Sequence, residues 1–297
     1  MFLAVVGIFA GSSRSTNYSP SCSSIQPRKN TKNALNGKKL PNNLLNSYHV
    51  MRHLLTLVTA LVLGCTCAFA ATFTVTNTND SGAGSLRQAI TDANNALGPH
   101  VINFNIPGTG PFTISPATEF PALGGQQIEI NGLSQPNATC GAPLIVINGA
   151  SAPMSSSGLI LNRAGHVVKG LVINGFSGIG IGVSGTGGHT LSCNFIGTNA
   201  AGTAAVANGN GISVQPGSID NRIGLAGAGN VIAGNRGYGI RLEQTSGNVL
   251  LSNIIGLNAT GTAAVGNISV GVDIFNSANT TIGTGINGRG RRRYGCL

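Results

Sequence analysis

The chain has 297 residues, 8% charged and 41% apolar, with no tryptophan. This balance excludes an intrinsically disordered chain, and the scarcity of helical periodicity excludes a helical bundle; the length suffices for one sizeable core. The formal net charge of +10 would suit a nucleic-acid binder, but residues 1–70 hold seven Lys or Arg and no acid, and four more arginines crowd residues 289–293. Between residues 71 and 288 six basic residues face all seven acids, so no basic stripe is left to meet phosphates.

Residues 1–50 are polar, basic and rich in Ser and Asn, and read either as upstream sequence ahead of the true start or as a leader. Residues 51–70 have the layout of a signal peptide. Met51-Arg52-His53 is a positive n-region, 54–64 an apolar stretch of eleven residues, and Ala68-Phe69-Ala70 a small-x-small cleavage site. Eleven residues are too few to span a bilayer, so no transmembrane anchor is expected there. A lipoprotein signal ending at Cys65 is the rival reading, and Leu63 fits it poorly. Either way the protein is expected to be exported, to the extracellular space or the outer-membrane surface.

The mature chain opens with a strand over 72–76 that places Phe73 and Val75 on one face, followed by turn chemistry over 77–84. One amphipathic helix follows. Leu86, Ala89, Ile90, Ala93 and Leu97 form its apolar stripe, Ser85 and Gln88 suggest a capping box, and Gly98-Pro99 stop it. Its expected task is to cover the open end of what comes next. Alternation resumes at Ile102, Phe104 and Ile106, at Ile128 and Ile130, and over 144–147.

From residue 158 onward the chain repeats. Residues 194–208 (NFIGTNAAGTAAVAN) and 253–267 (NIIGLNATGTAAVGN) agree at eleven of fifteen positions, 59 residues apart. Such a period marks a solenoid, whose units bury their apolar faces only by stacking. Three short pieces recur. One is a Gly-led run at Gly211, Gly239 and Gly271; a second is Asn221-Arg222-Ile223, Asn248-Val249-Leu250 and Thr280-Thr281-Ile282. The third is Asn194-Phe195-Ile196, Asn230-Val231-Ile232 and Asn253-Ile254-Ile255. Each alternates with a period of two, which predicts three parallel strands per coil. Asparagines at the corners tolerate left-handed backbone and can stack in amide ladders.

The opening VTNTNDSGAGSLRQAITDAN, the IPGTGPFTI segment, the INGLSQP turn and the later N-x-I-G and GN-x-I pieces resemble bacterial exported right-handed parallel β-helix repeat proteins. That group has the pectin-lyase-like fold and overlaps polymorphic outer-membrane and adhesin-like surface proteins. The resemblance covers residues 72–284. It implies an all-β, right-handed parallel β-helix of three-strand coils over 71–284, closed by a short N-terminal amphipathic capping helix. It also implies a non-enzymatic surface, adhesin-like or scaffold role toward surface glycans or cell-surface proteins. The alternative on this fold is a polysaccharide lyase or glycoside hydrolase acting on acidic glycans. Residues 285–297 break the repeat and read as a truncated or frame-shifted end, or as a basic tail.

Chemistry on such a scaffold needs carboxylates gathered on one outward face. Alignment of the Gly-led runs puts Ser213, Arg241 and Asp273 in one outward row, with Glu243 two positions along, an arrangement expected to be an exposed ion pair more than an active site. No catalytic, cofactor-binding or metal-ligating residue is assigned. His166 and His189 are expected to be solvated turn residues. Cys140 and Cys193 either pair after export or serve as small inward hydrophobes. The loops over 198–210 and 257–269 are expected to protrude from successive coils as a polar ridge, either a binding surface or tolerated spacers.

Overall fold

The computed structural model describes residues 47, 49–53, 70–163 and 165–283. The chain divides into two units, Met1–Cys65 and Thr66–Leu297. In the first, residues 49–53 are helical and exposed. The stretch over 54–64 expected to be a signal-peptide core, residues 68 and 69 of the expected cleavage site and the tail over 285–297 lie outside the described residues. Among the described residues no helix is long and apolar enough to cross a membrane.

Among the described residues, the second unit has nineteen short strands in three all-parallel sheets, consistent with a parallel β-helix. The first sheet, A, stacks β1 (Ala71–Val75), β2 (His100–Phe104), β4 (Ile128–Asn131), β7 (Val167–Lys169), β10 (Thr190–Ser192), β13 (Arg222–Ile223), β16 (Val249–Leu251) and β19 (Thr281–Gly283). Sheet B stacks β3 (Phe112–Ile114), β5 (Ile145–Asn148), β8 (Leu171–Asn174), β11 (Phe195–Ile196), β14 (Val231–Ile232) and β17 (Ile254–Ile255). Sheet C stacks β6 (Leu159–Asn162), β9 (Ile179–Ser184), β12 (Asn210–Val214), β15 (Ile240–Glu243) and β18 (Val272–Phe275). The three sequence pieces of each coil therefore become one strand in each sheet. The 59-residue identity spans two coils, because β13 lies between β10 and β16, whose first residues are Thr190 and Val249.

Alternate residues face inward and stack on their counterparts one coil away. Ile130, Val168, Leu191, Ile223 and Leu250 form such a column on sheet A, and Ile147, Ile173, Ile196 and Ile232 another on sheet B; all are 0–2% exposed. A fully buried Ile, Leu or Val stabilises by about 1.5–3 kcal/mol relative to an exposed one, so these columns supply the main driving force.

The amphipathic helix α1 runs from Leu86 to Asn95. Leu86, Ala89, Ile90 and Ala93 are buried in the same core as the inward columns, as their spacing demands. Two details differ from expectation. The helix ends before Leu97, which is 69% exposed. Ser85 Oγ accepts the Gln88 backbone N–H at 3.2 Å, but the Gln88 side chain turns forward to Asp92 Oδ1 at 2.8 Å, so only half of the capping box forms.

Three corner ladders tie the coils together. Asn194, Asn230 and Asn253 form the first: Asn194 N and Nδ2 both donate to Asn230 Oδ1 at 3.0 Å, and Asn230 N and Nδ2 donate to Asn253 Oδ1 at 3.0 and 2.9 Å. Asn208, Asn235 and Asn267 form the second. The third precedes sheet A, where Asn221 N and Nδ2 donate to Asn248 Oδ1 at 3.2 and 2.9 Å. An amide suits these corners because its oxygen takes up the spare N–H of one coil while its NH2 reaches a carbonyl, leaving no buried polar group unpaired.

Candidate functional site

The outward face of sheet C carries the residues that the sequence places in a row. Ser213 is paired with Arg241, Arg241 with Asp273 and Glu243 with Phe275. Alternation on β15 turns Ile240 and Leu242 inward, so Arg241 and Glu243 stand on the same side. Arg241 Nη2 lies 3.3 Å from Glu243 Oε2, and its Nε lies 3.6 Å from Asp273 Oδ2 without a hydrogen bond. The guanidinium also stacks over Tyr238, 5.1 Å from the ring centroid. One cation thus sits between two carboxylates, all three side chains about 30% exposed. Chemically, this is a solvated ion triad on a flat face. Two surface depressions, of about 330 and 220 Å³, lie elsewhere, one lined by Cys140, Phe195, Val231 and Ile254 and the other by Phe73, Gln88 and Asp92.

The remaining acids serve local structure. Asp80 pairs with Arg87 at 2.7 Å, and that guanidinium also donates to the carbonyls of Thr118 and Glu119, fastening the helix to the segment after β3. Glu119 Oε1 accepts the Ser157 N–H at 2.7 Å. Glu129 holds Lys169 across adjacent strands at 2.7 Å. Asp220 is exposed in a turn with φ 56°. Among the described residues, no group of three or more His, Cys, Asp or Glu comes together to hold a metal ion.

The histidines contradict the expectation of solvated turns. His166 and His189 are both 0% exposed, and their rings stack with centroids 5.4 Å apart. They occupy rungs of the third ladder: Ile128 N donates to His166 Nδ1 at 3.0 Å, His166 N to His189 Nδ1 at 3.2 Å, and His189 N to Asn221 Oδ1 at 3.1 Å. His100 does the same for Ala71 N at 3.2 Å. A ring nitrogen that accepts carries no proton, which at His166 and His189 assigns the neutral tautomer protonated on Nε2. Burial, followed by the charge of His189, lowers the His166 pKa to about 4 against the weaker opposing pull of the Leu123 and Ile128 backbone. Burial likewise lowers that of His189. The signal was present in the sequence: His166-Val167-Val168 and His189-Thr190-Leu191 align with Asn221-Arg222-Ile223 and Asn248-Val249-Leu250.

Cys140 and Cys193 form a disulfide, Cα atoms 4.6 Å apart, which pins the turn after Gln135 to the corner before β11. The repeated loops also depart from expectation. They belong to alternate coils, since β14 lies between β11 and β17. Instead of projecting freely, they fold toward the outward side of sheet B, where Ala200 and Ala259 pack against a second apolar cluster of Val146, Val172, Phe195 and Val231. Asn199 Oδ1 accepts from Thr203 N and Ala204 N, and Asn258 Oδ1 from Thr262 N and Ala263 N, so each loop is closed by the same turn. Ala259 N donates to Gly202 O at 2.9 Å and joins one loop to the other.

Comparison with protein-family models, curated proteins and solved structures finds no match.

Proposed function

We propose that this chain is a non-enzymatic, exported right-handed parallel β-helix with an N-terminal helical cap, acting as a surface, adhesin-like or scaffold module toward surface glycans or cell-surface proteins. One observation carries the reading: of seven acids, six are engaged by structural partners, and the two on a common outward face are closed upon Arg241. A general acid or base needs room for substrate beside its carboxylate, and the triad stands on the outward face of sheet C, away from both surface depressions. Export is supported by the layout of residues 51–70 and by the Cys140–Cys193 disulfide, a bond that persists in oxidising compartments.

The second reading, a polysaccharide lyase or hydrolase, is favoured by the convergence of Glu243 and Asp273 on one cation. A screen of the purified, folded chain against pectins, alginates and glycosaminoglycans separates the two, reading reducing sugars and the ultraviolet absorbance of unsaturated products. No turnover is expected. Turnover that disappears in Glu243→Ala or Asp273→Ala, with the circular dichroism unchanged, would establish the enzyme instead. Arg241→Ala is expected to cost less than about 1 kcal/mol of stability, because the triad is solvated.

A further inference from the structure

The third ladder changes chemistry along its length. Its first rungs are the rings of His100, His166 and His189, and its later ones the amides of Asn221 and Asn248. Both side chains accept a backbone N–H from the coil before. Only the ring can lose that capacity by taking up a proton, since an amide does not titrate in the accessible range. We propose that the rungs at His166 and His189 are an acid-sensitive seam: protonation at Nδ1 removes the acceptor tying each coil to its neighbour, and two cations on stacked rings repel, so this part of the solenoid opens in acid while the asparagine rungs remain closed.

The surroundings offer no compensating charge. On the flanking strands Glu129 is already bonded to Lys169 at 2.7 Å. The turn before His166 carries Arg163, and the next coil carries Asp220 in its turn and Arg222 at the start of β13; all three are exposed. Burial and then the neighbouring His189 depress His166, and burial depresses His189. The direction follows from linkage. An unfolded histidine binds its proton near pH 6.5 while folded His166 does so only near 4, so the fold is fully favoured above the first value and loses stability as pH falls toward the second. The window corresponds to at most about a 300-fold fall in the folding equilibrium from His166 alone.

The test is hydrogen exchange of the full chain across a pH series, corrected for intrinsic rates and compared with His166→Asn/His189→Asn, which installs the amide used at the later rungs. Between about pH 6.5 and 4, above most carboxylate titration, wild-type protection is expected to fall over β4, β7 and β10 before β13 and β16, and the double variant to retain it. Loss at the same pH in both proteins, or loss beginning at β13 and β16, would overturn the proposal. If the double variant fails to fold, His166→Asn and His189→Asn singly serve the same purpose. Each must shift the loss to lower pH, and the absence of a shift in either would overturn it equally.

Discussion

Replacing Asn230 by Ala tests whether the corner ladders hold the coils together. Asn230 is 1% exposed, and its side chain makes four bonds: Oδ1 accepts from Asn194 N and Nδ2 at 3.0 Å, and Nδ2 donates to Leu191 O at 2.8 Å and to Asn253 Oδ1 at 2.9 Å. Three of the partners keep a second bond. Leu191 O still receives Gly224 N, Asn194 Nδ2 still reaches Val168 O, and Asn253 Oδ1 still receives Asn230 N. The Asn194 backbone N–H loses its acceptor and is left buried. One orphaned buried donor costs about 1–3 kcal/mol and each of the other lost bonds about 0.5–1.5, so Asn230→Ala should destabilise by about 4 kcal/mol. In a unit of this size that lowers the melting temperature by about 8–16 °C. The control is Asn258→Ala, whose bonds to Thr262 N and Ala263 N are solvent-exposed; water replaces them, and the cost should stay near about 1 kcal/mol or below. Urea and thermal unfolding of both variants measure the difference. Equal destabilisation of the two, or a loss under about 1 kcal/mol for Asn230→Ala, would refute the view that the amide stack is a structural spine.

Two further outcomes follow from the same architecture. Reduction of the disulfide, or the Cys140→Ala/Cys193→Ala pair, releases a loop with a sequence separation of 53 residues. Chain-entropy arithmetic makes this worth up to about 4 kcal/mol, read as a lower unfolding midpoint in reductant that the alanine pair no longer shows. At Gly224, φ is 81° and an added Cβ would collide with the Leu251 carbonyl of the next coil, whereas at Gly217, φ 83°, it would meet open space. Gly224→Ala should therefore cost clearly more than the roughly 1–2 kcal/mol of left-handed strain alone that Gly217→Ala pays, in the same unfolding assay. Equal losses would mean that backbone strain, not coil-to-coil contact, governs the corner.

The strands, the apolar stripe of α1 and the row of Ser213, Arg241 and Asp273 were legible in the linear pattern, because inward and outward alternation and helical spacing are properties of neighbouring residues. Corner asparagines were legible for a similar reason: their backbone preference is local. What the linear pattern left open depended on which residue of one coil lies over which residue of the next. Coil lengths vary, as the starts of β10, β13, β16 and β19 at Thr190, Arg222, Val249 and Thr281 show, so stacking partners do not recur at one offset. That irregularity hid the equivalence of His166 and His189 with Asn221. It also made a two-coil period look like successive turns, and left Cys140 and Cys193 with two readings until the turn and the corner met in space. A histidine in front of a strand reads as a polar turn residue when only its own segment is considered. It becomes a buried acceptor because the coil before it presents a backbone N–H at that corner and the coil after it shuts out water, a condition that exists only once the coils are stacked.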